Sequence, residues 1–208
     1  MLSHPLPFPR RGGAVSAAAL LAFGLLIALG AGDAAASGRA DERPGIYVQG
    51  GENVVNGHDT QNVFIGGTLP FGDRHANGSL TYYGDAYLGA WHGRLPDGIH
   101  DKTYHQIAAL AVARWRFDHG NSPWFADAGA GVSYLDGIYA KPGKVFDGRP
   151  GRYFGSRWNF ALRLGAGYSF GQDGQHEVSL NYAHFSDAGL KRPNPGEDFI
   201  QLRYAYKF

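Results

Sequence analysis

The sequence predicts an eight-stranded antiparallel transmembrane β-barrel, an all-β fold typical of the bacterial outer membrane. Three observations support this prediction: an N-terminal segment typical of secretory signal peptides, a two-residue alternation of apolar and polar side chains, and aromatic residues near the ends of the apolar strand faces. The chain has 208 residues and no cysteine. Its length suits one domain, and the lack of cysteine excludes disulfides, thiolate metal sites and a cysteine nucleophile.

Residues 1–36 have the organisation of a cleaved signal peptide. Two arginines precede a run of small apolar residues, and the run is followed by three alanines at 34–36. A retained membrane anchor is the alternative, but the run is at the short end for spanning and has a processing site behind it. We therefore expect residues 37–208 to form an exported, single-domain barrel.

Turn signals divide the exported part into eight segments of strand length. We predict strands near 45–54, 61–71, 79–93, 103–117, 123–136, 157–170, 175–187 and 198–208. The connections at 71–79, 117–122 and 171–175 are short, whereas 137–156 is long and 187–197 intermediate. Because outer-membrane barrels have an even strand number, short periplasmic turns and longer external loops, we expect a multi-pass barrel with both termini in the periplasm.

The alternation also predicts which strand faces point outward. One face of segment 157–170 carries Trp158, Phe160, Leu162, Leu164, Ala166, Tyr168 and Phe170, and the other carries arginine, asparagine, glycine and serine. A soluble barrel alternates too, but inward aromatic residues would overfill an eight-stranded interior. We therefore expect a small and polar interior and an apolar outer face in contact with lipid.

Charge and short motifs exclude several function classes. Lys and Arg number 19 against 18 Asp and Glu, which leaves no basic field for nucleic acid. His92, His100 and His105 lack metal-ligand spacing, so no metal and no cofactor is expected. Residues 167–171 match G-x-S-x-G, but Ser169 falls inside a strand and not on a strand–turn–helix elbow.

Segment 181–199 carries a candidate catalytic site. His184 and Ser186 continue the apolar parity of their strand, so both should point toward lipid near its outer end. Residues two apart on a strand stand roughly 6.5–7 Å apart, and side chains leaning together can close that distance. A serine within reach of a histidine is half of a nucleophile–base pair, which an acid completes. The alternative is a polar rim without activity.

Two adjacent acids compete for the third position. Strand parity places Asp198 on the outer face and Glu197 on the interior face, which favours Asp198 and leaves Glu197 as the second candidate. If loop 187–197 closes symmetrically, Asp198 lies opposite Ser186 and diagonal to His184. Diagonal neighbours are about 7–8 Å apart, so a contact with the histidine is within reach.

Residues 184–198 resemble the C-terminal signature of the lipid A 3-O-deacylase (PagL) family. The segment reads H-F-S-D-A-G-L-K-R-P-N-P-G followed by two acids. The resemblance implies an eight-stranded outer-membrane enzyme that removes one ester-linked acyl chain from lipopolysaccharide, with His184 as base and Ser186 as nucleophile. It aligns Asp198 with the usual glutamate of the family, and Asp187 with an asparagine.

The resemblance leaves other roles open. Backbone N–H groups in 187–189, those of Asp187 and Gly189, are candidates for an oxyanion hole. Lys191 and Arg192 are either phosphate ligands for lipid A or a solvated loop pair. The expected partners are lipopolysaccharide and other outer-membrane lipids, and a homodimer is left open. The rival functions are a non-catalytic structural or adhesin barrel and a phospholipase-type barrel.

Overall fold

Eight long strands close into one antiparallel barrel. The computed structural model describes residues 41, 43–55, 57–143 and 151–208, so the predicted signal peptide lies outside the described residues. The barrel strands are β1 (Gly45–Asn53), β2 (Thr60–His75), β3 (Leu80–Arg94), β4 (Asp101–Arg116), β5 (Trp124–Leu135), β8 (Trp158–Phe170), β9 (His176–Ser186) and β10 (Glu197–Lys207). Two short strands, β6 (Ala140–Lys141) and β7 (Arg152–Tyr153), form a separate ribbon.

The strand order confirms the predicted fold. Each strand pairs with its neighbours in the order β1, β10, β9, β8, β5, β4, β3, β2, and β1 closes the ring against β2. The predicted strand limits agree within a few residues, except that β2 continues to His75 through a register shift after Phe71. No helix in the described part of the chain is long and apolar enough to cross a membrane.

The tight turns lie at one end of the barrel, and the other connections lie at the opposite end. The tight turns at 76–79, 117–123 and 171–175 lie at the end that also holds the start of β1 and the end of β10, which we call the turn end. The connections from β1 to β2, β3 to β4, β5 to β8 and β9 to β10 begin and end at the opposite end, the loop end. Asn77, His119 and Asp173, one in each tight turn, adopt left-handed backbone conformations.

Buried ion pairs fill the middle of the barrel interior. Asp85 accepts hydrogen bonds from Arg163 at 2.5 Å and Arg203 at 2.8 Å, and all three side chains are buried. Arg114 binds Asp127 and Glu177 in the same way nearer the turn end. The opposite strand faces carry exposed apolar side chains, among them Ile65, Leu164 and Leu180. The predicted sense of the alternation is therefore correct.

The side chain of Asp41, which precedes β1, adds a carboxylate to the ion network at the turn end. Asp41 lies in front of β1 and accepts hydrogen bonds from Arg116 at 2.6 and 2.7 Å and from Arg114 at 3.1 Å. Burial raises the pKa of this carboxyl, but the hydrogen bonds and positive charges of the two arginines outweigh it and hold the pKa well below the usual range. The chain before β1 is thus tied into the barrel.

The expectation of a small and polar interior is wrong in part. Trp91 packs at the loop end against four other rings, with centroid distances of 4.7–6.2 Å to Tyr139, Phe154, Phe185 and Phe199. Room for inward rings comes from glycine on adjacent strands: a Cβ added at Gly89 would lie 2.5 Å from the Phe64 ring. Aromatic rings therefore fit inside because residues beside them have no side chain.

We predict that Asp85→Ala destabilises the barrel by about 3–5 kcal/mol, because two buried guanidinium groups lose their counter-charge. The measurement is equilibrium unfolding in urea of the refolded protein, followed by tryptophan fluorescence. Glu52→Ala is the matched control, since Glu52 is 49% exposed and its partner His58 lies 3.6 Å away. The control should change stability by less than about 1 kcal/mol. Equal unfolding midpoints for both variants would contradict a stabilising role of the interior network.

Candidate functional site

Neighbouring strands β9 and β10 bring three polar side chains together on the outer surface near the loop end. His184 and Ser186 lie two residues apart on β9 and point outward, as does Asp198 at the second position of β10. His184 and Asp198 are direct register partners across the antiparallel pair. Because residues directly opposite one another have Cβ atoms only about 4.5–5.5 Å apart, a short aspartate reaches the imidazole.

The three side chains form a continuous hydrogen-bonded series. The Nε2 atom of His184 lies 3.0 Å from the Ser186 Oγ, and its Nδ1 atom lies 2.7 Å from the Asp198 Oδ1. The imidazole is 32% exposed and the carboxylate 15% exposed. One ring nitrogen thus faces a hydroxyl and the other a carboxylate, an arrangement that suits proton transfer from the hydroxyl.

The register differs from the expectation of a symmetric loop closure. That closure would place Asp198 opposite Ser186, whereas Phe185 pairs with Glu197 and the whole register is displaced by two residues. The loop is not symmetric: the chain turns into β10 directly after Gly196, whose backbone is left-handed (φ 65°). The contact between His184 and Asp198 is therefore direct and not diagonal.

Glu197 points into the barrel, away from the imidazole. Its carboxylate accepts hydrogen bonds from Lys141 Nζ at 2.7 Å and from Asn53 Nδ2 at 3.1 Å. Both members of the ion pair are 1% exposed. Lys141 belongs to the β6–β7 ribbon, so this pair fastens loop 136–157 to the start of β10. The two adjacent acids thus have different partners on opposite faces of one strand.

Two glycines allow close packing around His184. A Cβ added at Gly196 would lie 2.9 Å from the His184 Cε1 atom, so the backbone of the P-G pair passes directly against the imidazole. A Cβ at Gly155 would lie 2.8 Å from the Lys191 carbonyl group, which shows that residues before β8 pack on the 187–196 loop. The loop is therefore held from both sides.

Most of the predicted backbone donors in 187–189 are already engaged. The N–H of Asp187 donates to Asn194 Oδ1 at 3.2 Å, and the N–H of Gly189 donates to Asp187 Oδ1 at 3.0 Å. Ala188 between them is left-handed (φ 54°), and its N–H has no partner among the described residues. The role of Asn194 in shaping this turn was not anticipated. The N-P-G run marks a turn in the sequence but does not reveal which group the amide binds.

Lys191 and Arg192 lie exposed in the same loop, and neither forms an ion pair within the described ranges.

The serine of the G-x-S-x-G match and His100 make contacts within the barrel and its loops, away from His184. Ser169 is buried in the interior and accepts a hydrogen bond from Arg116. His100 bonds to Asp97, and this contact, with backbone N–H groups of Ile99 and His100, lowers the pKa of Asp97 to about 2. The described residues contain no group of His, Cys, Asp and Glu arranged for a metal ion.

An open apolar groove of about 700 Å³ begins beside His184. It crosses β8, β5 and β4 and ends on β3, and its outward lining residues are Tyr182, Leu162, Leu164, Ala128, Ala130, Ala111, Ala113 and Tyr82. His184 lies close to the loop end of β9, whereas Tyr82 lies close to the turn end of β3. The groove therefore slopes across the barrel from the loop end toward the turn end, over alanines that leave its floor low.

Comparisons with known proteins agree on one family. A family model described as lipid A 3-O-deacylase (PagL) matches residues 62–207. The lipid A deacylase PagL of Bordetella bronchiseptica is 29% identical over 103 residues, which cover 50% of this chain and 50% of that protein. The lipid A deacylase PagL of Pseudomonas aeruginosa is 33% identical over 129 residues, 62% of this chain and 66% of that protein. The alignments thus span between half and two thirds of these curated relatives.

A solved structure shares the architecture. The crystal structure described as that of the outer membrane enzyme PagL is 25% identical in sequence and superposes with a TM-score of 0.55. The superposition covers 79% of this chain and 99% of that chain. The similarity extends over nearly the whole of that barrel.

We predict that Gly196→Ala breaks the contact between His184 and Asp198, because the new Cβ would press on the imidazole. Gly189→Ala is the matched control: Gly189 lies in the same loop with φ 79°, but its added Cβ would meet nothing within 4 Å. In histidine-selective ¹⁵N NMR of the protein in micelles, the hydrogen-bonded Nδ1–H signal of His184 should disappear in the first variant and persist in the second. Identical spectra would show that the glycine is not needed for this contact.

Proposed function

This chain belongs to the lipid A 3-O-deacylase (PagL) family, and we propose that it hydrolyses the ester that joins the 3-O acyl chain to lipid A. The observation that carries the proposal is the hydrogen-bonded series of Ser186, His184 and Asp198 on the outer barrel surface. Two features support it: the series has the order of a serine hydrolase triad, and an apolar groove begins beside it.

The reaction follows from the two distances at His184. The Nε2 atom takes the proton of the Ser186 hydroxyl, and the alkoxide attacks the ester carbonyl to form a tetrahedral intermediate. When this intermediate collapses, His184 returns the proton to the sugar oxygen that leaves, and the acyl chain stays on Ser186. Water, activated by the same histidine, then releases the fatty acid. Asp198 holds the Nδ1–H tautomer and stabilises the imidazolium.

The negative oxygen of the intermediate requires donors beside Ser186. The predicted N–H groups of Asp187 and Gly189 would first have to leave the acceptors that they already have. The N–H of Ala188 is better suited, together with the NH₂ group of Asn194, whose Oδ1 atom faces Asp187. We therefore propose Ala188 and Asn194 as the oxyanion donors.

The substrate would reach the site sideways through the membrane. With the loop end facing out of the cell and both termini in the periplasm, Ser186 lies at the outer edge of the membrane, where lipid A is the main lipid. The scissile acyl chain would occupy the sloping groove, which becomes deeper in the bilayer away from His184. Lys191 and Arg192 stand on the headgroup side and would bind the lipid A phosphates.

Ser186→Ala should abolish deacylation, with a loss of about 10⁴-fold or more, because the nucleophile is removed. The test expresses each variant in a strain with 3-O-acylated lipid A and measures lipid A mass, in which one hydroxyacyl chain should be lost only with the active protein. Ser169→Ala, the serine of the G-x-S-x-G match, is the control and should retain activity.

Three results would contradict this assignment. Unchanged lipid A with a folded wild-type barrel would favour a structural or adhesin protein. Release of lysophospholipid without a change in lipid A would favour a phospholipase. Full activity of Ser186→Ala would exclude this serine as the nucleophile.

The two acids give a second prediction. Asp198→Asn should lower kcat by about 10³–10⁴-fold, because an amide cannot stabilise the imidazolium and favours the wrong tautomer. Glu197→Gln should leave kcat within a few-fold but lower stability, since Lys141 keeps a buried charge without its partner. The measurements are initial rates on purified lipid A in mixed micelles, with unfolding curves of both variants. A reversed order of activities would assign the role to Glu197.

A further inference from the structure

A fourth side chain joins the hydrogen-bonded series from the groove side. The Tyr182 hydroxyl donates to Asp198 Oδ1 at 2.5 Å, and this is the same oxygen that His184 Nδ1 contacts at 2.7 Å. Tyr182 lies two residues before His184 on β9 and pairs with Ile200, so it is the diagonal neighbour of Asp198. One carboxylate oxygen therefore has two donors, which arrive from adjacent outward positions of β9.

We propose that Tyr182 is a positioning residue for the deacylation reaction: its hydroxyl holds the Asp198 carboxylate against His184. The proposal rests on the function proposed above and assigns no substrate contact to the hydroxyl. Within the described parts of the chain, Tyr182 and His184 are the two side chains that hydrogen-bond to this carboxylate. Without the tyrosine, the imidazole alone would orient it.

The length of the acid explains why an additional donor matters. The carboxylate of an aspartate is joined to its Cα by a single methylene, so it reaches the imidazole in only a narrow range of orientations. Asp198 also lies on the outer barrel surface, where the backbone groups around it are used by the strand ladder. A fixed phenol hydroxyl meets both needs, because it supplies a donor and sets the orientation of the carboxylate.

A purely structural role of Tyr182 would leave a different signature. Its ring lines the groove and is 40% exposed, so it also contributes apolar surface to the acyl chain. Loss of that surface would raise KM and leave kcat unchanged. Tyr182→Phe keeps the ring and removes only the hydroxyl, so it separates the two roles.

The experiment is a double-mutant cycle of Tyr182→Phe with Asp198→Glu, assayed on purified 3-O-acylated lipid A in mixed micelles. Tyr182→Phe should lower kcat roughly tenfold, as expected for loss of a hydrogen bond to a charged group, with little change in KM. In the Asp198→Glu background, the same substitution should cost less than about threefold, because the longer acid reaches the imidazole unaided. Tyr204→Phe is the control, since that hydroxyl bonds to His176 on the same outer face at the far end of the barrel.

Each outcome decides the proposal. Coupling between the two substitutions, with a lower kcat at nearly unchanged KM in Tyr182→Phe and an unaffected Tyr204→Phe control, supports it. Unchanged kcat in Tyr182→Phe, an effect on KM alone, or an equal loss in both acid backgrounds would overturn it while the wild type remains active. An inactive, correctly folded wild type would overturn the proposed function and this inference together.

Discussion

The two-residue alternation of a closed barrel is the constraint on which the rest of this structure depends. Every side chain of a barrel strand points either into the interior or out of it, and closure leaves no free edge where a strand could shift its register. The buried ion pairs around Asp85 make each inward position expensive to vacate. Because successive residues alternate between the two faces, the outward-pointing residues are fixed as well, although they have few contacts of their own.

The two acids at the start of β10 show how this constraint assigns chemistry. Glu197 and Asp198 are adjacent, yet one joins Lys141 inside the barrel and the other joins His184 outside. The ion pair with Lys141 holds Glu197, the first residue of β10, on the inner face. The next residue, Asp198, must therefore point outward. The interior thereby supports the proposed catalytic site, which lies on the outer barrel surface, where side chains usually have few neighbours to hold them.

A polar site on a membrane-facing surface also has to satisfy its own hydrogen-bonding groups. The location near the loop end lowers the cost, because polar side chains cost about 0–1 kcal/mol near the interface against about 2–4 kcal/mol at mid-membrane. The series from Tyr182 through Asp198 and His184 to Ser186 lets each group use its neighbour as partner. The apolar groove begins at His184 and Tyr182 of this series, which matches a proposed substrate whose ester separates a polar headgroup from a hydrocarbon chain.

Much of this arrangement could be predicted from the sequence, because period and parity are local properties. The strand number, the outward face and the placement of His184, Ser186 and Asp198 on that face all follow from alternation. The β9–β10 register could not be predicted, since it depends on the path of loop 187–196, in which Ala188, Gly189 and Gly196 have left-handed backbones. The inward ring of Trp91, the Lys141–Glu197 pair and the Tyr182–Asp198 contact join residues from different strands or loops. No local pattern encodes such contacts.

The central claim is that Ser186 is an activated nucleophile on the membrane-facing surface, and covalent trapping tests it most directly. Purified wild-type protein in lipid vesicles would be exposed to a long-chain alkyl phosphonate that partitions into the bilayer, and the modified residue would be identified by peptide mass spectrometry. We predict a single adduct on Ser186, formed much more slowly in the His184→Ala variant. An adduct on another serine, or labelling of Ser186 at the same rate without the histidine, would contradict the claim.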